Sequence, residues 1–91
     1  MKTYIVTCLD KKNSLNKRLA NRELHLEYLK SLKNNLILAG PILNKINKPK
    51  GSVLILKFQT RFELNNFLKN DPYSKVGLFE SVKIEIFKRV F

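Results

Sequence analysis

The chain has 91 residues, and its 18 Lys and Arg against 7 Asp and Glu give a formal net charge of +11 at pH 7. This length fits one domain, residues 1–91, and so short a chain buries only a modest part of its surface, which makes a lone monomer marginally stable. The hydrophobic content of 44% excludes wholesale disorder, and no apolar run approaches the roughly 20 residues that span a bilayer.

Strand and helix patterns follow one another along the chain. Residues 2–9 alternate as a strand, and Ser14 is predicted to cap a helix that runs to about Asn34. The buried stripe of this helix is predicted to consist of Leu15, Leu19, Leu26 and Leu29. Next are predicted a short strand over 36–39, which Gly40-Pro41 ends, and a polar loop over 42–51. A strand over 52–59, a helix from the cap Thr60 to about Lys69, and a last strand over 81–90 complete the prediction.

This βαββαβ order predicts an α+β domain of the ferredoxin-like kind, an antiparallel sheet with two helices on one face. The other face of such a sheet is expected to be polar. The first strand is instead apolar on both faces, with Ile5 and Leu9 opposing Tyr4 and Val6, and the third strand is similar. Because a large exposed apolar surface is a liability, we expect a homodimer that packs through the open sheet face. The alternative is that the last strand or a loop covers part of that face.

His25 is the only histidine, and histidine is the side chain that changes protonation near neutral pH without special tuning. On the predicted first helix it lies in one row with Arg18 and Arg22, at the border between core and solvent. Both arginines are candidates to bind an anionic group such as a carboxylate or an enolate. The alternative is a solvated basic helix face with a histidine on its edge.

Asp71 directly precedes Pro72, a pattern typical of the start of a short helical turn with Asp as the N-cap. A second interpretation is a carboxylate that orients an imidazole and stabilises its cationic form. Sequence spacing does not show whether Asp71 meets His25. Asp10, just past the first strand, is the rival partner.

Cys8 is the only cysteine, so an internal disulfide is excluded, and the N-terminus lacks the layout of a signal peptide. We therefore expect a cytoplasmic protein in which Cys8 is a small buried hydrophobe. One histidine and one cysteine cannot make an all-protein zinc site, and no glycine-rich phosphate loop is present. We predict no metal and no organic cofactor. Gly51 is interpreted as a turn residue that also allows a ligand close approach, and Ser52 beside it is a further candidate for substrate binding.

The strong positive charge raises a nucleic-acid alternative, because a basic βαββαβ domain is also the architecture of RNA-recognition domains. Lys50-Gly51 begins the sequence pattern of their third strand. The two positions that would stack on bases hold Ser52 and Leu54, neither of which is aromatic. We therefore expect a small-molecule ligand, no membrane partner, and no nucleic acid.

Several segments together resemble the YciI-like, or YCII-related, family, and their order and spacing extend over essentially the whole chain. These segments are Ser14-Leu15, Lys17-Arg18-Leu19, Arg22, His25-Leu26, Leu38-Ala39-Gly40-Pro41, Gly51-Ser52-Val53, Asp71-Pro72-Tyr73, Gly77 with Phe79-Glu80, and Phe87-Lys88-Arg89-Val90-Phe91.

The resemblance implies a ferredoxin-like fold assembled as a dimeric α+β barrel. It also implies an active site built on a His-Asp dyad, which by position is His25 and Asp71. Related proteins act on small, cyclic or aromatic, oxygenated compounds by proton-transfer chemistry such as isomerisation or dehydrochlorination. The chain departs from the family pattern between Pro41 and Gly51, where the loop is shorter and rich in Lys and Asn. The sequence therefore favours an acid–base enzyme, with a non-catalytic binding or scaffold dimer as the alternative.

Overall fold

A four-stranded antiparallel sheet lies at the centre of the computed structural model, which describes all 91 residues. The strands are β1 (Lys2–Asp10), β2 (Leu36–Leu43), β3 (Pro49–Phe58) and β4 (Phe79–Ile86). Their order across the sheet is β2-β3-β1-β4, so β1 and β3 form the central pair. The helices are α1 (Leu15–Ala20), α2 (Arg22–Lys30), α3 (Arg61–Lys69) and α4 (Pro72–Lys75), with a short 3₁₀ turn at Lys33–Asn35.

The core lies between one face of the sheet and the helices α2 and α3. Leu29 of α2 and Leu64 of α3 pack in one cluster with alternate residues of the two central strands. Those strand residues are Tyr4, Val6 and Cys8 of β1, and Leu54 and Leu56 of β3. The predicted βαββαβ order and the helices on one sheet face are therefore confirmed.

The predicted single helix from Ser14 to Asn34 is wrong, because the chain breaks at Asn21 into α1 and α2. Asn21 has φ −110° and ψ 7°, outside the helical region. Its side-chain amide donates a hydrogen bond to the carbonyl of Lys17 at 2.9 Å. Such local side-chain bonds compete with the helical backbone, and this explains the break.

The predicted leucine stripe is only partly buried as a result of this break. Leu29 is buried, Leu15 and Leu26 are half-buried, and Leu19 is 54% exposed. Two polar residues, Arg18 and His25, take buried positions on the same helices. The inner face of α1 and α2 is thus more polar than the leucine spacing predicted.

The second strand does not end at Gly40-Pro41 but continues to Leu43, so the predicted loop over 42–51 shrinks to residues 44–48. Strand β2 is an edge strand, where proline is tolerated because one side of the strand makes no ladder hydrogen bonds. The Asn44 side chain closes the hairpin by accepting from the N–H groups of Ile46 and Lys48, both at 3.0 Å. β3 begins three residues earlier than predicted, and β4 begins two residues earlier and ends four earlier.

The sheet face without helices is apolar at its centre. Ile5 pairs with Ile55 and Thr7 with Val53 across β1 and β3, and Leu38 of β2 pairs with Ile55. Along the β4 edge the same face carries Lys83 and Glu85. We call the apolar part, made of Ile5, Leu9, Leu38, Val53 and Ile55, the open-face patch.

We predict that Gly51→Ala destabilises the fold by roughly 1–3 kcal/mol, the usual cost of inserting atoms into a packed interior. A Cβ at Gly51 would collide with the main-chain carbonyl oxygen of Cys8, and main chain cannot move aside without separating β1 from β3. Gly40→Ala is the matched control, since a Cβ there meets nothing within 4 Å. Urea unfolding of both variants measures the difference, and equal midpoints would contradict the prediction.

Candidate active site

The four buried polar or charged residues of the chain are Arg18, His25, Ser52 and Asp71. All four were singled out from the sequence, and the fold brings them together at one place. Three of them line a pocket of about 200 Å³ between helices α1–α2 and strands β2–β3. The principal lining residues are Arg18, Arg22, His25, Leu29, Pro41, Ser52 and Tyr73.

His25, on α2, contacts the carboxylate of Asp71. Its Nδ1 atom lies 2.9 Å from Oδ1 and 3.1 Å from Oδ2 of Asp71, and both residues are buried. Because an ionised carboxylate can only accept, this geometry assigns the neutral ring's proton to Nδ1 and leaves Nε2 as an acceptor. His25 is 5% exposed, more deeply buried than the border position expected from the sequence.

Asp71 also has the structural role that its position before Pro72 predicted. Its Oδ1 atom accepts a hydrogen bond from the backbone N–H of Tyr73 at 2.9 Å, as the N-cap of α4. The two interpretations of this carboxylate are therefore compatible, since one side chain caps a helix and contacts an imidazole.

The rival carboxylate, Asp10, pairs with Arg18 instead. Nε of Arg18 donates to Oδ2 of Asp10 at 2.7 Å and Nη2 donates to Oδ1 at 2.9 Å, a bidentate pair with both side chains nearly inaccessible. Burial lowers the pKa of the guanidinium, but the hydrogen bonds and charge of Asp10 outweigh this and the net shift is upward. The charge of Arg18 is thus permanent and already compensated.

Ser52 lies on the same network. Its Oγ accepts from Nη2 of Arg18 at 2.9 Å, which leaves its hydroxyl hydrogen for another acceptor in the pocket. Gly51, by contrast, does not line the pocket. The space left by its missing side chain is taken by the carbonyl of Cys8 on the neighbouring strand rather than by a ligand, so the expectation of a close ligand approach is not met.

Arg22 is the pocket's uncompensated cation. It is exposed, lines the pocket with Arg18, and makes none of the chain's four ion pairs. An anion that enters the pocket therefore meets a guanidinium without a carboxylate partner.

Tyr73 is the site residue that sequence reasoning missed. Its ring stacks on the imidazole of His25, with centroids 3.9 Å apart and planes 14° apart, and Cζ of Arg18 lies 4.8 Å from its centroid. Burial raises the pKa of its phenol, while the nearby Arg18 and Arg22 oppose this shift, and the net direction is upward, so the hydroxyl stays protonated near neutral pH. The available signal was its place two residues after Asp71, in the same turn.

Cys8 is buried, as predicted, and burial in combination with the charge of Asp71 raises the pKa of its thiol to about 12. A protonated thiol is a poor nucleophile, so Cys8 is a packing residue. Ser52 and Leu54 face the helices and are buried, so neither is available to stack on a nucleic-acid base.

Comparison with known proteins identifies the family. The profile of the YCII-related domain matches residues 2–88. The chain belongs to the YCII-related family. Protein YciI from Escherichia coli is 34% identical to it over 97% of this chain and 98% of that protein. A protein from Haemophilus influenzae is 35% identical with the same coverage.

One similar solved structure is that of an enzyme with a bound ligand. It is 5-chloro-2-hydroxyhydroquinone dehydrochlorinase from Burkholderia phenoliruptrix in complex with 2,5-dihydroxybenzoquinone. The TM-score is 0.90, and the sequences are 31% identical over 97% of this YCII-related chain and 95% of that chain. The predicted fold class, ferredoxin-like and of the dimeric α+β barrel type, is confirmed. None of the helices has the length and apolar character required to cross a bilayer.

We predict that Asp10→Asn destabilises the protein by about 3 kcal/mol, because it leaves the buried Arg18 charge without its counter-ion. Glu85→Gln is the matched control: it removes a carboxylate from the exposed Lys83–Glu85 pair at 3.6 Å, where a loss of at most about 1 kcal/mol is expected. Chemical unfolding at neutral pH measures both. Equal losses in the two variants would show that the Asp10–Arg18 pair adds no more than a surface pair.

Proposed function

We propose that this protein is a cofactor-independent enzyme that uses His25 as a general acid–base on a small, anionic, oxygenated ring compound. One observation carries the proposal: the Nδ1 atom of the buried His25 lies 2.9 Å from the Asp71 carboxylate, while His25 lines a pocket that also presents the unpaired Arg22. The nitrogen that remains for a ligand is Nε2.

In the proposed reaction, Nε2 of His25 accepts a proton from a carbon or oxygen of the substrate and returns it elsewhere on the ring. Asp71 keeps the imidazole in the Nδ1–H tautomer and stabilises the imidazolium that forms. Positioned acid–base catalysis of this kind typically contributes about a hundred- to ten-thousand-fold in rate.

The substrate oxygen that is already ionised before the reaction has a counter-ion in Arg22. The guanidinium of Arg22 binds the ionised oxygen, and Ser52 and Arg18 add further hydrogen-bond donors to the lining of the pocket. Donors that are fixed before the reaction stabilise a developing oxyanion without reorganisation. Arg18 is fixed in this sense because Asp10 and Ser52 hold its guanidinium.

The substrate class follows from pocket size and from the similar enzyme. A pocket of about 200 Å³ suits a compound of one ring, since an apolar cavity of about 150 Å³ holds benzene. The dehydrochlorinase that resembles this chain is named for a chlorinated hydroxyhydroquinone and was solved with a dihydroxybenzoquinone. Hydroxylated, ionisable six-membered rings are therefore the first compounds to test.

We predict that a hydroxylated quinone or hydroquinone will exchange a ring proton for deuterium, or release chloride when chlorinated, in the presence of the protein. His25→Gln should lower kcat by roughly a hundred- to ten-thousand-fold, and Asp71→Asn should also lower kcat because the tautomer is no longer fixed. Arg22→Gln should instead raise KM with kcat nearly unchanged, the pattern of lost uniform binding. NMR of the substrate in D₂O measures exchange without knowledge of the natural product.

Two comparisons make this experiment decisive. Arg61→Gln removes the same charge from an exposed site outside the pocket and should leave KM unchanged. A folded His25→Gln variant that turns over substrate at the wild-type rate would refute the acid–base role. Tight binding of these compounds with no exchange and no chloride release would support the non-catalytic binding dimer instead.

We also propose that two copies pack face to face through the open-face patch. Leu38 is 50% and Leu9 42% exposed in the single chain, and both lie on the same sheet face as the apolar residues of β1 and β3. Burying this surface against a second copy removes an apolar area that a monomer would leave in water.

We predict that the wild-type protein sediments as a dimer and that Leu38→Lys shifts it to monomer, because the substitution places a charge in an apolar interface. Leu24→Lys is the matched control, since Leu24 is 61% exposed but lies on α2, away from the sheet face. Analytical ultracentrifugation over a range of concentrations measures the equilibrium. A wild-type monomer at all concentrations, or equal dissociation of both variants, would refute this interface.

A further inference from the structure

The turn from Asp71 to Tyr73 contacts the imidazole of His25 on two sides. Asp71 contacts the ring edge at Nδ1, at 2.9 Å, and the Tyr73 ring lies parallel to the imidazole with 3.9 Å between centroids. The two contacts are coupled, because the N–H of Tyr73 donates to the same Oδ1 atom of Asp71 that His25 approaches.

The two contacts act on one motion of the ring. Rotation about the Cβ–Cγ bond swings Nε2 and withdraws Nδ1 from the carboxylate, and the hydrogen bond at Nδ1 opposes it at only one point of the ring. A second aromatic plane stacked on the ring opposes that rotation. We infer that Tyr73 is a positioning residue, which fixes the plane of His25 and so directs Nε2 at the substrate. This inference rests on the proposed acid–base function and adds a residue to it.

Tyr73 is itself held from outside the pocket, as a positioning residue must be. Its carbonyl accepts from the N–H of Leu78 at 3.0 Å, and the ring of Phe79 meets its ring edge-on, with 6.0 Å between centroids and planes 89° apart. Gly77, at φ +68°, supplies the left-handed conformation that brings the chain back to make this bond. Tyr73 is 1% exposed, so its ring has little freedom to move away from His25.

Tyr28 offers a matched comparison within the same chain. It too stacks on an aromatic ring, that of Phe67, with 4.5 Å between centroids and planes 15° apart, and its hydroxyl donates to the carbonyl of Phe67 at 2.8 Å. It does not stack on His25. Loss of the Tyr28 ring therefore removes a stacked, half-buried tyrosine from the same domain without removing a contact to the imidazole.

The experiment is ¹⁵N NMR of the single imidazole at a pH where it is neutral. In the wild type, the protonated Nδ1 and unprotonated Nε2 should give widely separated shifts, as expected for one tautomer. Tyr73→Phe keeps the ring and should preserve the separation, and Tyr28→Leu should preserve it as well. Tyr73→Leu should bring the two shifts toward each other, because a freely rotating ring leaves Asp71 and samples both tautomers.

A catalytic readout accompanies the spectra once a substrate is found. Tyr73→Leu should lower kcat by about ten- to a hundredfold with KM little changed, since misplacement of a reacting group by about 1 Å can cost a hundredfold. Tyr73→Phe should restore kcat to near the wild-type value. A purely structural role would lower the amount of folded protein but not move the shift separation or kcat per folded molecule.

Two results would overturn the inference whatever the outcome for catalysis. One is a folded Tyr73→Leu variant with the wild-type separation of imidazole shifts. The other is the absence of nuclear Overhauser contacts between the rings of His25 and Tyr73 in the wild type. This measurement needs no variant, so it decides the question even if Tyr73→Leu does not fold. If His25→Gln does not change turnover, the acid–base function is refuted. The NMR result would still show whether Tyr73 holds the imidazole of His25 in place.

Discussion

The contacts of the buried Asp71 carboxylate link two helices of this small fold to the imidazole of the candidate active site. It accepts from the backbone of Tyr73 and contacts the imidazole of His25, so it joins α4 to α2. An ionised group out of water is costly unless its hydrogen-bonding capacity is filled, and no buried side-chain polar atom of this chain lacks a partner. The start of α4, its contact with α2 and the partner of the imidazole Nδ1 consequently depend on one side chain.

A second link, between the nearly inaccessible side chains of Asp10 and Arg18, joins a helix to the sheet. Asp10 ends β1, Arg18 lies in α1, and the hydrogen bond from Arg18 to Ser52 reaches β3. The first link joins α4 to α2, and the second joins α1 to the two central strands of the sheet. Polar contacts thus do much of the positioning that the interrupted leucine stripe of α1 and α2 does not. Such buried pairs contribute less to net stability than apolar packing of equal volume, but each demands a defined geometry.

The sequence predicted the order of elements and the fold class, and it singled out as site candidates the four polar residues that the fold buries, without predicting that burial. These predictions rest on local rules: alternation in strands, helical spacing, and the capping position of Thr60, whose Oγ1 accepts from the N–H of Glu63 at 3.2 Å. The wrong element boundaries lie at residues whose local sequence is compatible with two different structures. A helix tolerates the polar side chain of Asn21, yet here that side chain bonds to the backbone one turn earlier and the helix breaks. A proline such as Pro41 would end a central strand, but β2 is an edge strand and continues past it. Neither outcome is fixed by the local sequence.

Contacts between distant residues were beyond the same rules. The sequence left Asp10 and Asp71 as alternatives because 46 residues separate His25 from Asp71 and only the packing of α2 against α4 brings them together. In the structure Asp10 pairs with Arg18, and amino-acid composition does not show which carboxylate pairs with which cation. The carboxylates of Asp10 and Asp71 each have their own partner, so of the cations around the pocket Arg22 alone is left for a ligand. In the proposed reaction a single free guanidinium suits a substrate with one ionised oxygen, because a second anionic group would enter a buried site without a counter-ion.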